Sequence, residues 1–310
     1  MILEMEGKMG VSMTLDVPKF YTVVIPTLNE ADNLKLLLPE ISNENCSIIV
    51  CDNGSTDNTV DVATSLGAAV SHGRGTVVDA ILRGLAAAGP GPVVVMDADL
   101  SHPPELVTEL VDGLFGGRRL AIGSRWQNYD GTKNRLISKV GNLLCWGLCP
   151  KVQDRMSGYF CVRKTSLDGI GVNGNFDRST TKPMLEILVK SGAYDAGEFV
   201  EIPYAFKPRL KGKSKLGRGL NLFTTLRHVA KLYIYKYRKM LKFLLVGGVG
   251  IGVNLGLLAF FTEVAGIWYM LSAVLGILIA TMWNFAMNNL WTFGDRNLKE
   301  VWKDKGKWST

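Results

Sequence analysis

The chain has 310 residues, 47% of them hydrophobic, and a mean hydropathy of +0.15, so a membrane segment has to be sought before a purely soluble fold is assumed. Five cysteines (Cys46, Cys51, Cys145, Cys149 and Cys161) are an odd number without zinc-type pairing, which argues against a disulfide framework and for reduced thiols on a cytosolic face. The formal charge of +7 is uneven: no acidic residue lies between Glu201 and Glu263, an interval crowded by Lys207, Arg209, Lys211, Lys213, Lys215 and Arg218.

Residues 1–19 carry Glu4, Glu6, Lys8 and Asp16 and so lack the apolar core of a signal peptide. FYTVVIP then reads as a strand, EADNLKLLLPEI as a helix and CSIIVCD as a second strand. DNTVDVATSLG and GTVVDAILRGLAAAG are predicted helices, and PVVVMDAD is a third strand. PPELVTELVDGLFGG opens on prolines suited to a helix's first turn and stops at glycines; RLAIGSR is a further strand. This alternation predicts a parallel α/β sheet with ligands at the carboxyl ends of its strands. Polar residues gather at those ends: Thr27, Asn29 and Glu30; Asp52 and Asn53; Asp97 and Asp99; Arg125.

One strand end carries more chemistry than a turn requires. VVVMDADLSHPPEL delivers two carboxylates, Asp97 and Asp99, to the strand's own exit. Hard divalent cations take oxygen ligands and share one or two carboxylates with substrate phosphates, so the pair is a candidate metal site. Ordinary turn and cap positions would suit the same residues. No G-x-G-x-x-G follows the first strand and no G-x-x-x-x-G-K-[ST] occurs, which leaves an NAD-type site and a P-loop unsupported.

The C-terminal part reads as membrane-bound. Phe243 to Thr262 is an uncharged run of 20 residues, the length that crosses a hydrocarbon core of about 30 Å. A second uncharged run extends from Val264 to Gly294, with Ala265-Gly266 as the turn, Trp268 and Tyr269 at its opening and Trp291 near its close. Arg238, Lys239 and Lys242 flank one outer end and Arg296, Lys299, Lys303, Lys305 and Lys307 the other, whereas the turn carries only Glu263. The positive-inside rule therefore places both termini and the α/β part in the cytoplasm, around a helical hairpin. The basic block is assigned to an anionic leaflet and not to nucleic acid. Within it Leu220, Leu222, Phe223, Leu226, Val229, Leu232 and Tyr233 recur at helical spacing among cations, the pattern of interfacial helices. Asn254, Asn284, Asn288 and Asn289 are expected to bond between the spans, and a homo-oligomer would bury more of so small a membrane part.

VVIPTLNEADNL, CDNGSTDNT, DADLSHPPE and GSRW occur in this order at domain-scale spacing. Together they resemble the family 2 glycosyltransferases with the GT-A fold. DADLSHPPE followed by SGYF and RLKGKSKLG is most similar to the dolichol-phosphate mannose synthases of that family. The hairpin, with FLLVGGVGIGVNLGLLAFFTE and NFAMNNLWTF, looks like the first half of a GtrA-like membrane domain. The implied class is α/β: a GT-A (Rossmann-like) nucleotide-sugar transferase domain, then interfacial amphipathic helices and a two-helix transmembrane hairpin. The boundaries expected are an N-terminal extension at 1–19, the GT-A domain at 20–215, amphipathic helices at 216–240, the hairpin at 241–294 and a basic cytoplasmic tail at 295–310.

The resemblance implies inverting transfer of mannose from GDP-mannose to dolichyl or another polyprenyl phosphate, aided by Mg²⁺ or Mn²⁺. A UDP-glucose:polyprenyl-phosphate glucosyltransferase shares fold, metal site and acceptor, and base and sugar are not legible in the residues themselves. Intact Asp97, Asp99 and Arg125 count against a non-catalytic scaffold, and the lack of Q-x-x-R-W against a processive synthase. Catalytic roles fall, by the resemblance, on Asp97, Asp99 and Arg125. Sugar-nucleotide contacts fall on Pro26, Leu28, Glu30, Asp52, Asn53, Asp97, Ala98, Asp99 and Asp154. Leu28 stands where tyrosine is frequent and Asn53 where aspartate is usual. Asp99 would hold the metal, with Ser101 where many relatives place a glutamine ligand. Lipid-phosphate contacts are carried over to Arg125, Arg135, Ser138, Lys182, Arg209 and Lys215.

Overall fold

The computed structural model describes residues 20–125, 140–168, 170, 176–178, 183–205 and 220–294. The chain divides into two compact units, Met1–Leu232 and Tyr233–Thr310.

In the first unit, strand β1 (Tyr21–Thr27) is an aromatic and β-branched run whose Val23, Val24 and Ile25 have no exposed surface. It pairs in parallel with β2 (Cys46–Asp52) on one side and β4 (Pro92–Val95) on the other; β3 (Ala69–His72) extends β2 in the same sense. Strands β5 (Leu120–Ser124), β6 (Phe160–Arg163) and β7 (Phe199–Pro203) complete a seven-stranded sheet of order β3-β2-β1-β4-β6-β5-β7. Strand β6 runs antiparallel to both β4 and β5, while β5 and β7 are parallel. The sheet is therefore mixed, against the parallel sheet expected from the alternation. Strand β6 begins at the edge where β5 ends, so it runs back without a crossover. Strands β3, β6 and β7 are too short and too weakly patterned to register as periodic segments.

Helix α1 (Ala31–Ile41) buries Leu34, Leu37, Leu38 and Ile41, one stripe at helical spacing. Helices α2 (Thr59–Ser65), α3 (Val77–Ala87), α4 (Leu106–Asp112), α5 (Pro183–Lys190) and α6 (Ala193–Ala196) follow. Helix α3 starts on a capping box between Thr76 and Asp79. Its Gly84 lets it lie close on the sheet: a Cβ there would fall 2.2 Å from Val24 Cγ1 and 2.8 Å from Cys51 Sγ. The two prolines stand before α4 and not in its first turn, their carbonyls accepting from the N–H groups of Leu106 and Val107. Because β1, β2, β4 and β5 share one direction and β6 opposes them, the exits of the first four and the entry of β6 lie on one sheet edge.

Helix α7 (Leu220–Ala259) runs for 40 residues without interruption, about 60 Å at 1.5 Å per residue. The helix passes through residue 240 unbroken, since residues 220–246 contain no glycine or proline to stop it. A π-helical turn (Phe260–Val264) and Gly266 at φ +63° lead into α8 (Tyr269–Met287), itself ending in a π-helical turn (Asn288–Thr292). Both helices are long and apolar enough to cross a membrane, and only 11% and 17% of their most apolar windows are buried. The start of α7 departs from a purely lipid-facing helix: Val229 and Leu232 are buried, while Phe223 and Leu226 are exposed. His228 lies 3.7 Å from carboxylate oxygens of both Asp177 and Glu186, and Lys231 Nζ donates to Asp177 at 2.7 Å.

In the second unit the side chain of Asn284 is seated over Gly250, and Asn254 Oδ1 over Gly276, where added Cβ atoms would fall 2.2 and 2.9 Å away. The side-chain oxygens of Asn284 and Asn288 are buried without a hydrogen-bond partner, so the interhelical bonds expected of them are not formed. Close glycine contact takes their place.

Candidate functional site

The loops after β1 and β2 are laced together. Asn29, at φ +52°, donates its N–H to Ser55 Oγ at 2.8 Å and accepts from the Thr56 N–H at 2.7 Å. The Glu30 N–H donates to Thr59 Oγ1 at 2.9 Å, and the Ala31 N–H to Asp57 Oδ2 at 3.3 Å. Burial raises the Asp57 carboxyl, but hydrogen bonds from Thr59 and Ala31 together outweigh it and hold the group below the usual carboxylate range. Asp52 turns its carboxylate into its own loop, accepting from Gly54 N–H at 2.9 Å and from the Ser55 hydroxyl at 2.5 Å. Asn53 donates to the Thr76 carbonyl at 3.0 Å and accepts from Arg83 Nη2 at 3.0 Å. Asp52, Gly54, Ser55, Val60, His72, Gly73 and Arg74 line a cleft of about 430 Å³ beyond these strand ends. Pro26 sits half-buried in β1 opposite Cys51, Leu28 is exposed, and Glu30 Oε2 accepts from Asn33 Nδ2 at 2.6 Å.

Past the end of β4 the two carboxylates differ in surroundings. Asp97 leaves 44% of its side chain exposed, whereas Asp99 is 6% exposed, with Oδ1 accepting from the Ser101 N–H at 3.1 Å. Ala98 and Ser101 are buried beside it. Among the described residues no group of three or more His, Cys, Asp or Glu could hold a metal by protein atoms alone. Two carboxylates on one short turn do fit a hard divalent cation that completes its shell with water and diphosphate oxygens.

At the exit of β5, Arg125 donates Nε to Asp154 Oδ2 at 2.6 Å and Nη2 to Oδ1 at 2.8 Å, a bidentate pair with side chains 12% and 8% exposed. The Arg125 N–H reaches the same carboxylate at 3.2 Å. Glu201 on β7 accepts from the N–H groups of Gln153 and Asp154 at 2.8 and 3.0 Å and so fixes the segment that carries Asp154. The resemblance implies that Arg125 serves the acceptor and Asp154 the donor; the fold brings the two into one ion pair.

Arg135, Ser138, Lys182, Arg209 and Lys215 lie outside the described residues. Three residues that shape the edge carry no assignment from sequence: Asp57, His102 and Glu201. Asp57 and His102 sit inside CDNGSTDNT and DADLSHPPE, so the motifs held their signal; Glu201 had none.

Residues 22–168 match the family described as Glycosyl transferase family 2, and residues 242–309 match the GtrA/DPMS transmembrane domain. The dolichol-phosphate mannosyltransferase of Pyrococcus furiosus is 35% identical over 294 residues, covering 88% of this chain and 81% of that protein. That of Saccharomyces cerevisiae is 29% identical over 243 residues, covering 70% and 88%. A glucosyl-3-phosphoglycerate synthase from Mycobacterium tuberculosis, solved with Mn²⁺, UDP-glucose and phosphoglyceric acid, superposes with a TM-score of 0.52 at 20% identity over 70% of this chain and 79% of that one. That likeness is one of fold alone. The ordered strand-end motifs, the mixed α/β sheet, the membrane helices and an identity that spans most of both chains agree: the chain belongs to the dolichol-phosphate mannosyltransferases and is a family 2 glycosyltransferase of the membrane.

Proposed function

We propose that the protein transfers mannose from GDP-mannose to dolichyl or a related polyprenyl phosphate with inversion at the anomeric carbon. A divalent cation, Mg²⁺ or Mn²⁺, would supply charge neutralisation for the donor diphosphate, and the catalytic unit lies at the cytoplasmic face. The observation that carries this reading is that Asp97 and Asp99 at the exit of β4 and the Arg125–Asp154 pair at the exit of β5 lie on one sheet edge, with only β6 between the two strands. The Mn²⁺ and UDP-glucose of the fold neighbour support the cation and the class of donor.

The acceptor brings its own nucleophile. A phosphate monoester with a second pKa near about 6 is largely dianionic at neutral pH, so no strong general base is needed. One phosphate oxygen forms a bond to the anomeric carbon from the face opposite the diphosphate. The bond from that carbon to the nucleotide oxygen breaks, and its electron pair leaves on GDP. Asp99, with Ser101 beside it, would hold the cation, which when bound neutralises charge gathering on the diphosphate. Asp97 faces the donor sugar or ribose, while Pro26, Leu28, Glu30, Asp52 and Asn53 shape the nucleotide cleft. Arg125, locked by Asp154, aligns the lipid phosphate; Arg135, Ser138, Lys182, Arg209 and Lys215 are assigned to the same anion.

The test is transfer by the detergent-solubilised full chain to dolichyl phosphate from labelled GDP-mannose or UDP-glucose, with Mg²⁺, Mn²⁺ or EDTA. Label moving to lipid from GDP-mannose alone, as the β-anomer and only with a cation, is the expected result. Preference for UDP-glucose would replace the sugar assignment, and transfer in EDTA would remove the cation.

A further inference from the structure

The turn that carries both strand-end carboxylates closes on itself. Leu100 adopts φ +61°, and two residues later His102 comes back against Asp97. The Asp97 N–H donates to His102 Nδ1 at 2.9 Å. An amide N–H only donates, so Nδ1 holds a lone pair and the ring proton resides on Nε2. Nε2 in turn lies 3.9 Å from Asp97 Oδ2. Both imidazole nitrogens thus address one residue, through its backbone and through its carboxylate. The side chain of His102 is only 4% exposed against 44% for Asp97, so the carboxylate is open to solvent and the ring is not.

The ring is held from the other half of the sheet. It stacks on Tyr159 with centroids 4.7 Å apart and 11° between planes, and meets Tyr204 edge-on at 6.2 Å. The Tyr159 hydroxyl donates to the Pro103 carbonyl at 2.9 Å, tying the platform to the turn it supports. Gly123 makes room for it: a Cβ there would fall 3.1 Å from the Tyr159 ring and 3.2 Å from that of Tyr204. Ser157 Oγ donates to the Gly123 carbonyl at 2.6 Å, so SGYF and GSRW meet beneath this one imidazole.

We propose that His102 is a positioning residue that sets the orientation of the Asp97 carboxylate in the donor site, with Tyr159 and Tyr204 as its platform. The proposal rests on Asp97 acting at the donor. Misplacement of a group that must meet the substrate in a fixed geometry is costly even when the displacement is small. His102 reaches no substrate itself and acts only through Asp97.

Substitution by asparagine and glutamine separates positioning from bulk. Asparagine places its Oδ1 where Nδ1 accepts from the Asp97 N–H; glutamine reaches past it to the Nε2 position and leaves that N–H without its acceptor. In the full chain, His102→Ala and H102Q should lower kcat/KM for the sugar nucleotide roughly tenfold or more. H102N should recover most of that loss although it melts no higher than H102Q, since both lose the stacked ring. In an Asp97→Ala background, His102→Ala should cost nothing further, because the residue through which it acts is gone. The proposal fails if H102N is no better than H102Q, if His102→Ala matches wild type, or if the Ala effects at 97 and 102 simply multiply. Wild-type donor kinetics in Asp97→Ala itself would instead remove the donor-site reading, and the proposal with it. If His102→Ala does not fold, the contrast between H102N and H102Q decides the matter alone.

Discussion

Arg125 and Asp154, 29 residues apart in sequence, form a two-pronged ion pair at the exit of β5, Nε to Oδ2 at 2.6 Å and Nη2 to Oδ1 at 2.8 Å. The pair is mostly removed from solvent, so its worth lies in geometry: the carboxylate fixes the plane of the guanidinium.

Arg125→Lys should therefore raise KM for the lipid phosphate about tenfold or more while changing KM for the sugar nucleotide little, since a lysine keeps the charge but loses the fork. Asp154→Ala should destabilise the fold by about 3–5 kcal/mol, because it leaves a buried guanidinium unpaired. Initial-rate kinetics in both substrates and thermal unfolding check the two halves. An Arg125→Lys enzyme impaired only toward the nucleotide would reverse the assignment of donor and acceptor ends.

Asp99→Asn should reduce transfer about a hundredfold or more with little change in melting temperature, since Asn keeps the Oδ1 that accepts from Ser101 and loses only charge. EDTA should abolish wild-type activity and added Mg²⁺ or Mn²⁺ restore it. Titration of Mn²⁺ by electron paramagnetic resonance in the presence of GDP should show weakened binding in Asp99→Asn.

Gly84→Ala should cost about 1–3 kcal/mol by forcing α3 off the sheet, because the new methyl meets Val24 and the sulfur of Cys51. Cys51 precedes Asp52, so KM for the sugar nucleotide should rise as well. A melting temperature equal to wild type would show that the helix shifts without strain.

Asp57 ties the start of α1 to the loop after β2, and its hydrogen bonds hold its carboxyl below the ordinary value. A group whose folded pKa is depressed stabilises the fold above its unfolded pKa and ceases to do so as pH falls through the folded one. The gap in melting temperature between wild type and Asp57→Ala should be full at about pH 7 and shrink below about pH 4. A gap independent of pH would mean that the charge of Asp57 contributes nothing.

Cutting the chain at different points should separate docking from anchoring. A chain ending at Leu232 keeps His228 and Lys231 beside Asp177 and Glu186, whereas one ending at Lys215 loses both. The longer form should bind sugar nucleotide like wild type yet transfer poorly to long-chain acceptor in bilayers. The shorter form should also melt lower. Equal melting of the two would show that the buried His228 contact is unimportant to the catalytic unit.

The sequence by itself determined the parts whose physics is local. Apolar periodicity marks β1, β2, β5 and α1 to α3, and two long uncharged runs framed by cations and tryptophans mark the hairpin, since burial on one face or in lipid writes itself into neighbouring positions. It also placed Asp97 and Asp99 at a strand exit, because the strand and the turn after it are contiguous. Tertiary structure alone decided what depends on residues far apart. The direction of β6 follows from where β5 ends, not from the four residues FCVR. Asp154 meets Arg125, and Glu201 meets the segment around Asp154, across 29 and 47 residues of chain. Asp52 illustrates the same limit at short range: a carboxylate at a strand exit can face a ligand or its own loop, and here three donors on Gly54 and Ser55 turn it inward. A side chain's type shows which bonds it can make; the packing of the sheet decides which partner is there to make them.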